Sequence, residues 1–221
     1  MQVAFGTAKQ SPLEGFVYIE KLQDLPADTR HLLFLQAPED LEELTYFLTR
    51  KKYEQVTFCS RIEVFAHPYK VDEADFPFSK TPLGLHYREA EKTIKITQPH
   101  ALIARLAWSW EQDIFWDSLG DPLLFMQHYG QYAQVQFYRW HRLAHDLQIA
   151  RGNGIDCIHL VYEPIPMQLL CAHLDIPCPA PQERAIEYDV QTRFGDYFGT
   201  KSRYLSDLSS QIRALEEKKN A

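Results

Sequence analysis

The stretch from Asp121 to Pro179 constrains the fold of this chain more than any other part of the sequence. Its pattern predicts a long helix that ends in a glycine turn at 151–154 and is followed by a buried strand over Ile155–Tyr162. A proline-marked corner then leads into a short helix predicted over Met167–Leu174. A helix that passes through a glycine turn into an apolar strand is typical of layered α/β domains. We therefore expect an α/β fold.

The first half of the chain shows a similar alternation of strand and helix patterns. Strands are predicted at Phe16–Glu20 and His31–Ala37, a helix begins at Pro38, and Val56–Phe65 forms one or two further strands. The uninterrupted apolar run in the second strand is typical of a strand buried on both faces. Residues 1–15 are predicted to be an irregular lead-in. Together these patterns predict a mostly parallel central sheet flanked by helices, with an α-rich C-terminal half.

The domain organisation follows from the distribution of proline and charge. We expect a single α/β domain over residues 1–200, interrupted by a proline-rich, acidic excursion at 67–99. Within this excursion, short strands at Leu83–Tyr87 and Thr93–Thr97 are predicted to form an exposed hairpin. Residues 201–221 are predicted to form an amphipathic helix that docks on the domain or offers an apolar face to a partner.

Composition narrows the class of partner. The chain has 221 residues and a formal charge of −7, which disfavours nucleic acid because nucleic-acid footprints are basic. No signal peptide and no apolar stretch long enough to span a bilayer is visible, so no membrane association is expected. The four cysteines lack metal-type spacing and are expected to be reduced thiols of a cytoplasmic protein. The expected partner is a small-molecule substrate or a protein, and the cofactor is unknown.

Two histidines are the first candidates for chemistry. Helices are predicted from Gln98 to about Leu119 and from Asp121 to about Ala150, and the second helix carries His141 and His145 at i, i+4 spacing. Such a pair has the geometry for two metal ligands. No third ligand is apparent, so no metal site is predicted, and the alternative is a polar helix edge. His141 is kept as a candidate catalytic residue, and His145 as a candidate binding residue.

The same helix carries arginines close to aromatic rings. Tyr138, Arg142 and Arg151 are candidates for binding a substrate, because a guanidinium beside an aromatic ring holds a phosphate or sulfate well. The alternative is a solvated edge with Arg142 paired to Asp146 at i, i+4. The glycines at 152 and 154 match no phosphate-binding loop, and they are predicted to terminate the helix.

Tyr162 and Glu163 lie where the predicted buried strand ends. Open α/β sheets place ligands at the carboxyl ends of their strands. Glu163 is therefore a candidate general base, and Tyr162 a candidate substrate contact. The alternative is a strand-end pair that only contacts a neighbouring loop.

The run Ile158–Glu163, the Met167–Leu174 helix and the segment Ile176-Pro177-Cys178-Pro179 resemble the C-terminal part of P-loop sulfotransferases. The resemblance covers residues 131–179. It implies a transferase that uses an adenosine phosphosulfate-type nucleotide. The donor-binding loop of that family is not found, since Phe5–Lys9 lacks its Gly/Ser/Thr-rich pattern.

Two functions are therefore expected from the sequence. The first is a sulfotransferase-like transferase, complete or degenerate, that acts on a small polar acceptor near Glu163 and the face that carries His141. The alternative is a non-catalytic protein-binding module that uses the C-terminal helix or the acidic excursion at 67–97.

Overall fold

A computed structural model describes residues 1–6, 13, 15–108, 130–175 and 187–195, with a few single positions between 177 and 206. The chain divides into two compact units. The first comprises Met1–Ala66, Glu73–Leu106 and Arg139–His159; the second comprises His67–Asp72, Ala107–Tyr138 and Leu160–Ala221.

The described elements are ten strands and four α-helices. The strands are β1 (Gln2–Phe5), β2 (Val17–Ile19), β3 (His31–Phe34), β4 (Gln55–Arg61), β5 (Tyr69–Val71), β6 (Leu102–Leu106), β7 (Gln134–Val135), β8 (Cys157–Leu160), β9 (Ile165–Pro166) and β10 (Asp189–Val190). The helices are α1 (Leu41–Arg50), α2 (Pro82–Thr97), α3 (Leu143–Gly152) and α4 (Met167–Leu174).

Six strands form one sheet in the order β2-β1-β3-β4-β6-β8. The pairs β1–β2, β1–β3, β3–β4 and β4–β6 are all parallel. The predicted α/β class with a mostly parallel central sheet is confirmed. The chain starts at β1, moves to β2 on one side and then to β3 on the other. The sheet is therefore doubly wound, and the direction of winding switches between β1 and β3.

An aromatic row holds the central strands together. Phe5, Phe34 and Phe58 occupy paired positions on β1, β3 and β4, with ring centroids 5.8 and 6.4 Å apart. Tyr87 of α2 stacks on Phe58 at 5.8 Å. All four side chains are buried. Each burial of this size stabilises the fold by roughly 1.5–3 kcal/mol, so this row fixes the sheet against α2.

The helix predicted to begin at Pro38 is α1, and its capping residue is Asp40. The Asp40 side chain accepts hydrogen bonds from the amides of Glu42 and Glu43, at 2.8 and 3.0 Å. This cap satisfies amide groups that have no partner inside the helix. At the other end of α1, the Gln98 side chain donates to the carbonyls of Leu48 and Lys51 and joins the loops after α1 and α2.

In the second unit, two short strand pairs surround a buried amide. β5 pairs with β10, and β7 pairs antiparallel with β9. Gln136 is fully buried; its Nε2 donates to the carbonyls of Tyr162 and Val190 at 2.9 Å, and its Oε1 accepts from the Val190 amide at 2.7 Å. This side chain therefore joins the segment that contains Tyr162 to the segment that contains Val190.

Several predicted elements are wrong. Residues 1–15 were expected to be irregular, yet Gln2–Phe5 forms β1 near the middle of the sheet. The hairpin predicted at 83–97 is the helix α2, because Thr81 caps it, accepting from the Gly84 amide at 3.1 Å, and Pro82 occupies its first turn. Tyr87, Ala90 and Ile94 then form its buried face at helical spacing.

The two predicted long helices are also wrong in the described part of the chain. Residues 102–106 of the first are the buried strand β6, and 109–119 lie outside the described residues. In the second, Gln134–Val135 pairs with Ile165–Pro166, so a helix begins only at Leu143. The glycine turn does end that helix, and the helix over Met167–Leu174 is confirmed.

The predicted C-terminal helix at 201–221 lies almost entirely outside the described residues. Within the described ranges, no helix has the length and apolar character needed to cross a membrane.

Candidate functional site

The carboxyl edge of the sheet at the β1/β3 switch is the candidate site. In doubly wound sheets, the connections that follow the strands on the two sides of such a switch run to opposite faces, and ligands bind in the crevice that this leaves. The segments that border it all belong to the first unit. They are Gly6 after β1, Glu20 after β2, Leu35–Pro38 after β3 and the end of β4. We call this region the switch crevice.

Gly6 and Leu35 form the floor of the switch crevice. Gly6 has a φ of 139°, which L side chains rarely adopt, and a Cβ placed on it would lie 3.1 Å from the Leu35 Cβ. The Gly6 amide donates to the Ile19 carbonyl at 2.9 Å, and the Leu35 amide donates to the Phe5 carbonyl at 2.9 Å. The backbone is thus tightly packed at the switch, and glycine is required at position 6.

Glu20 and the start of α1 give this edge a negative side. Glu20 follows β2 directly and is exposed. The first turn of α1 contains Glu42 and Glu43 after the capping Asp40. These carboxylates repel an anion at the N-terminus of α1, although the helix dipole would attract one there.

The end of β4 supplies the positive side. The Arg61 Nε lies 3.4 Å from Glu63 Oε1, and the Arg61 guanidinium carbon lies 5.9 Å from the centre of the Tyr87 ring. The side chain of Arg61 is about one-third exposed, at 35%, so solvent and ligands can reach it. A guanidinium with a planar fork of donors is well suited to bind a carboxylate or a phosphate.

Ser60 precedes Arg61 and carries a buried hydroxyl. Its residue is 1% exposed, and its Oγ makes no hydrogen bond within the described part of the chain. A buried hydroxyl is normally paired with protein, water or ligand. The sequence pattern did not single out Ser60 and Arg61, which lie inside the predicted strand region Val56–Phe65.

A buried ion pair lies next to this strand end. Arg105 on β6 donates to Glu91 on α2 through Nε at 3.0 Å and Nη2 at 2.8 Å, and its Nη1 lies 3.2 Å from His159 Nε2. Burial lowers the pKa of Arg105, but the hydrogen bonds and charge of Glu91 outweigh it, so this pKa lies above its usual value. Arg105 is therefore a fixed cation that joins α2 to β6. In the sequence, an arginine inside an apolar strand is the signal that could have identified Arg105.

A groove of about 560 Å³ lies elsewhere, between α2, the segment 73–77 and the face of β6 and β8. Two of its lysines are paired with acids: Lys92 lies 3.6 Å from Glu89, and Lys95 lies 3.3 Å from Asp156.

The candidate residues from the sequence are divided between the two units. Tyr138, Tyr162 and Glu163 belong to the second unit; the tyrosines are fully buried, with ring centroids 6.4 Å apart, and Glu163 is half-buried. Glu163 does not end the strand itself, because β8 ends at Leu160.

The remaining candidates belong to the first unit. His141 and His145 are exposed and do not share one helix, since His141 lies in the 3-10 turn Trp140–Arg142 that precedes α3. Arg142 pairs with Asp146 at 3.1 Å, as the alternative interpretation expected. Arg151 donates to the Thr57 hydroxyl through Nε at 3.0 Å, and burial lowers its pKa. Across the described ranges, no three His, Cys, Asp or Glu side chains are grouped to hold a metal ion.

The sequence matches no protein-family model and no curated protein. Solved structures do match the fold. A dTDP-4-dehydrorhamnose reductase from Clostridium acetobutylicum superposes with a TM-score of 0.68 at 13% identity, over 98% of this chain and 100% of that chain. One from Yersinia enterocolitica gives 0.62 at 12% identity, over 89% and 90% of the two chains. MoeE5 in complex with UDP-glucuronic acid and NAD gives 0.61 at 13% identity, over 81% and 77%.

This chain therefore shares its fold with these solved structures. This finding overturns the resemblance of residues 131–179 to P-loop sulfotransferases and the transferase function drawn from it. The resemblance misled because a strand, a corner and a short helix recur in many α/β proteins. The alternative of a protein-binding module is equally unsupported. The acidic excursion proposed for it contains α2, which packs on the sheet through Tyr87.

Proposed function

We propose that this protein binds a nucleotide, and specifically a nucleotide-linked sugar, in the switch crevice. The observation that carries the proposal is the reversal of winding between β1 and β3 in a parallel sheet. Ligands of doubly wound folds bind outside the carboxyl ends of the strands at this reversal. Gly6, which allows close backbone packing there, and Arg61, which offers a guanidinium to a phosphate, support the proposal.

The ligand class comes from the fold's relatives. MoeE5 is described in complexes with UDP-glucuronic acid, UDP-glucose and NAD, and two other neighbours are reductases of a dTDP-linked sugar. A nucleotide-linked sugar combines phosphates, which suit a guanidinium, with hydroxyls, which suit carboxylates and amides.

A second candidate function is a reductase or epimerase reaction of such a sugar that uses a nicotinamide dinucleotide. The observation that favours it is Glu20, an exposed acid directly after β2. Dinucleotide-binding folds use an acid near this place to bind a ribose hydroxyl. A proton must also move in such a reaction, and Glu63 and Tyr87 are titratable groups close to Arg61 at this edge.

Equilibrium titration with UDP-glucose tests the proposed function. Saturable binding that UDP displaces is the expected result. Ala37→Trp places a large ring in the switch crevice directly after β3 and should weaken binding at least tenfold. The matched control is Ala27→Trp, an exposed position before β3 at the opposite edge, where binding should not change. No saturable binding, or equal effects of the two variants, would contradict the proposal.

The second candidate has its own assay. The assay measures, by absorbance, the consumption of reduced nicotinamide dinucleotide in the presence of a UDP- or dTDP-linked keto-sugar. Consumption is expected only if that function holds. Loss of turnover in Tyr87→Phe with unchanged sugar-nucleotide binding would assign the proton transfer to Tyr87.

A further inference from the structure

The end of α4 brings two cysteines together. The helix ends at Leu174, and Asp175 follows in the left-handed conformation, with a φ of 54° and its amide bonded to the Cys171 carbonyl. A left-handed residue after a helix turns the chain back on itself. Cys178 thereby returns to the last turn of α4, where its side chain is hydrogen-bonded to the Cys171 thiol. The two sulfur atoms therefore lie side by side.

The two thiols differ in their access to solvent. Cys171 is 1% exposed, whereas Cys178 is exposed. Burial raises the pKa of the Cys171 thiol from 9.0 to about 12, and the hydrogen bond with Cys178 acts in the same direction. Because the thiolate is the reactive form, the buried thiol does not react first with an oxidant. The exposed Cys178 is the thiol that an oxidant reaches.

The other two cysteines are arranged differently. Cys59 and Cys157 belong to the first unit. The groups that shift the pKa values of these two thiols include arginines and acids but no other cysteine. All four cysteines of the chain are described, so Cys171 and Cys178 form its thiol pair.

We propose that Cys171 and Cys178 form a reversible disulfide that fastens the end of α4 in response to oxidation. Cysteines bridge without backbone movement only when their side chains already face each other, as these do. An exposed thiol beside a second, resolving thiol is the arrangement found in redox-sensing pairs. The inference is independent of the proposed nucleotide site, which lies in the first unit.

The reaction uses a small-molecule disulfide as the oxidant. The Cys178 thiolate attacks one sulfur of that disulfide, which forms a mixed disulfide and releases one small thiolate. Cys171 then loses its proton to solvent and attacks the Cys178 sulfur, and the second small thiolate leaves. The protein loses two electrons and two protons, and the oxidant gains both as it becomes two thiols.

The last turn of α4 is a junction in the second unit. The His173 Nε2 donates to the Leu205 carbonyl at 2.6 Å, and Leu205 is buried. A disulfide next to this contact closes the short loop between Cys171 and Cys178. Closing a loop removes its open conformations, so oxidation should make the end of α4 open less often.

Oxidation of the full chain with oxidised glutathione tests the proposal. After alkylation of the remaining thiols, mass spectrometry should show a monomer that has lost two hydrogen atoms, and peptide mapping should join Cys171 to Cys178. Dithiothreitol should restore both thiols. A stable glutathione adduct on Cys178, a dimer linked through Cys178, or two unreacted thiols overturns the proposal.

Cysteine variants separate the two steps. Cys171→Ser removes the resolving thiol, so a glutathione adduct should accumulate on Cys178. Equal adduct levels in the parent chain and in Cys171→Ser overturn the role of Cys171. Cys178→Ser changes an exposed side chain and should abolish the internal disulfide, whereas the matched control Cys157→Ser, in the first unit, should form as much as the parent chain. Equal disulfide yields in these two variants overturn the assignment to Cys178, and thermal unfolding checks that each variant folds.

Hydrogen exchange measures the effect on α4. The Asp175 amide, which donates to the Cys171 carbonyl, should exchange about tenfold more slowly in the oxidised parent chain than in the reduced one. Cys178→Ser treated with the same oxidant should show no such slowing. A disulfide that leaves the exchange of this amide unchanged overturns the proposal that it fastens the helix end.

Discussion

Arg105 and Glu91 form a two-point ion pair between β6 and α2, with N···O distances of 3.0 and 2.8 Å and each side chain 7% exposed. Removing one partner of a buried pair leaves an uncompensated charge, which costs on the order of 3–5 kcal/mol. Glu91→Gln should therefore lower the free energy of unfolding in urea by several kcal/mol. Glu89→Gln, which breaks only exposed pairs with Arg88 and Lys92, should cost less than about 1 kcal/mol. Similar losses in the two variants would show that the pair does not hold α2 to the sheet.

Substitution of Gly6 should destabilise the fold. Its φ of 139° and the 3.1 Å approach to Leu35 both oppose a side chain. Gly6→Ala is expected to destabilise the fold by about 1–3 kcal/mol through backbone strain. Gly152→Ala serves as the control, because a Cβ there meets nothing within 4 Å, and alanine is a better helix former. Urea unfolding of both variants gives the comparison, and a neutral Gly6→Ala would contradict the geometry.

Cys59 should make folding sensitive to alkaline pH. Burial raises the pKa of its thiol from 9.0 to about 12. The folded chain therefore keeps this proton at pH values where the unfolded chain has lost it. The resulting stability is fully present below about pH 9 and is lost as the pH rises towards 12.

The free energy of unfolding of the parent chain should thus fall across pH 9–12 more steeply than that of Cys59→Ala. Parallel pH profiles would contradict a buried, protonated thiol. Thiol labelling gives a second readout: exposed Cys178 should react first, and Cys157, whose pKa burial raises to about 11, should react slowly together with Cys59.

Gln136 should be essential to the second unit. It bonds the Val190 amide and two carbonyls, all buried with it. Gln136→Leu removes these partners, and each buried group left unpaired costs about 1–3 kcal/mol. Hydrogen exchange at the Val190 amide should accelerate strongly, whereas Gln23→Leu at an exposed position should leave it unchanged. Unaltered exchange in Gln136→Leu would contradict this role.

Local sequence pattern predicts the strands that consist mainly of apolar residues. It misses the strands whose formation depends on pairing with residues distant in sequence. The strand β3 was predicted because its apolar residues are contiguous, and β4 because apolar residues alternate along Val56–Phe65. β1 is only four residues long, and its pairing with β3 across the switch is what makes it a strand. Its position therefore could not be inferred from local pattern.

The candidate site shows the same limit. Glu163 was chosen because a strand end is a common ligand position. That rule does not say at which strands the winding reverses, and the order β2-β1-β3 points to Gly6 and Leu35. The spacing of His141 and His145 suggested a shared helix face, but the chain forms a 3-10 turn at His141, so the two residues do not lie on one α-helix.

The central claim is that a nucleotide occupies the switch crevice. Methyl-selective NMR of the leucine side chains during a UDP titration tests it most directly, because Leu35 lies on the crevice floor and Leu147 lies in α3. We predict saturable shifts of the Leu35 methyl signals with little change at Leu147. Saturable shifts that leave Leu35 unmoved would place the nucleotide elsewhere and contradict the account.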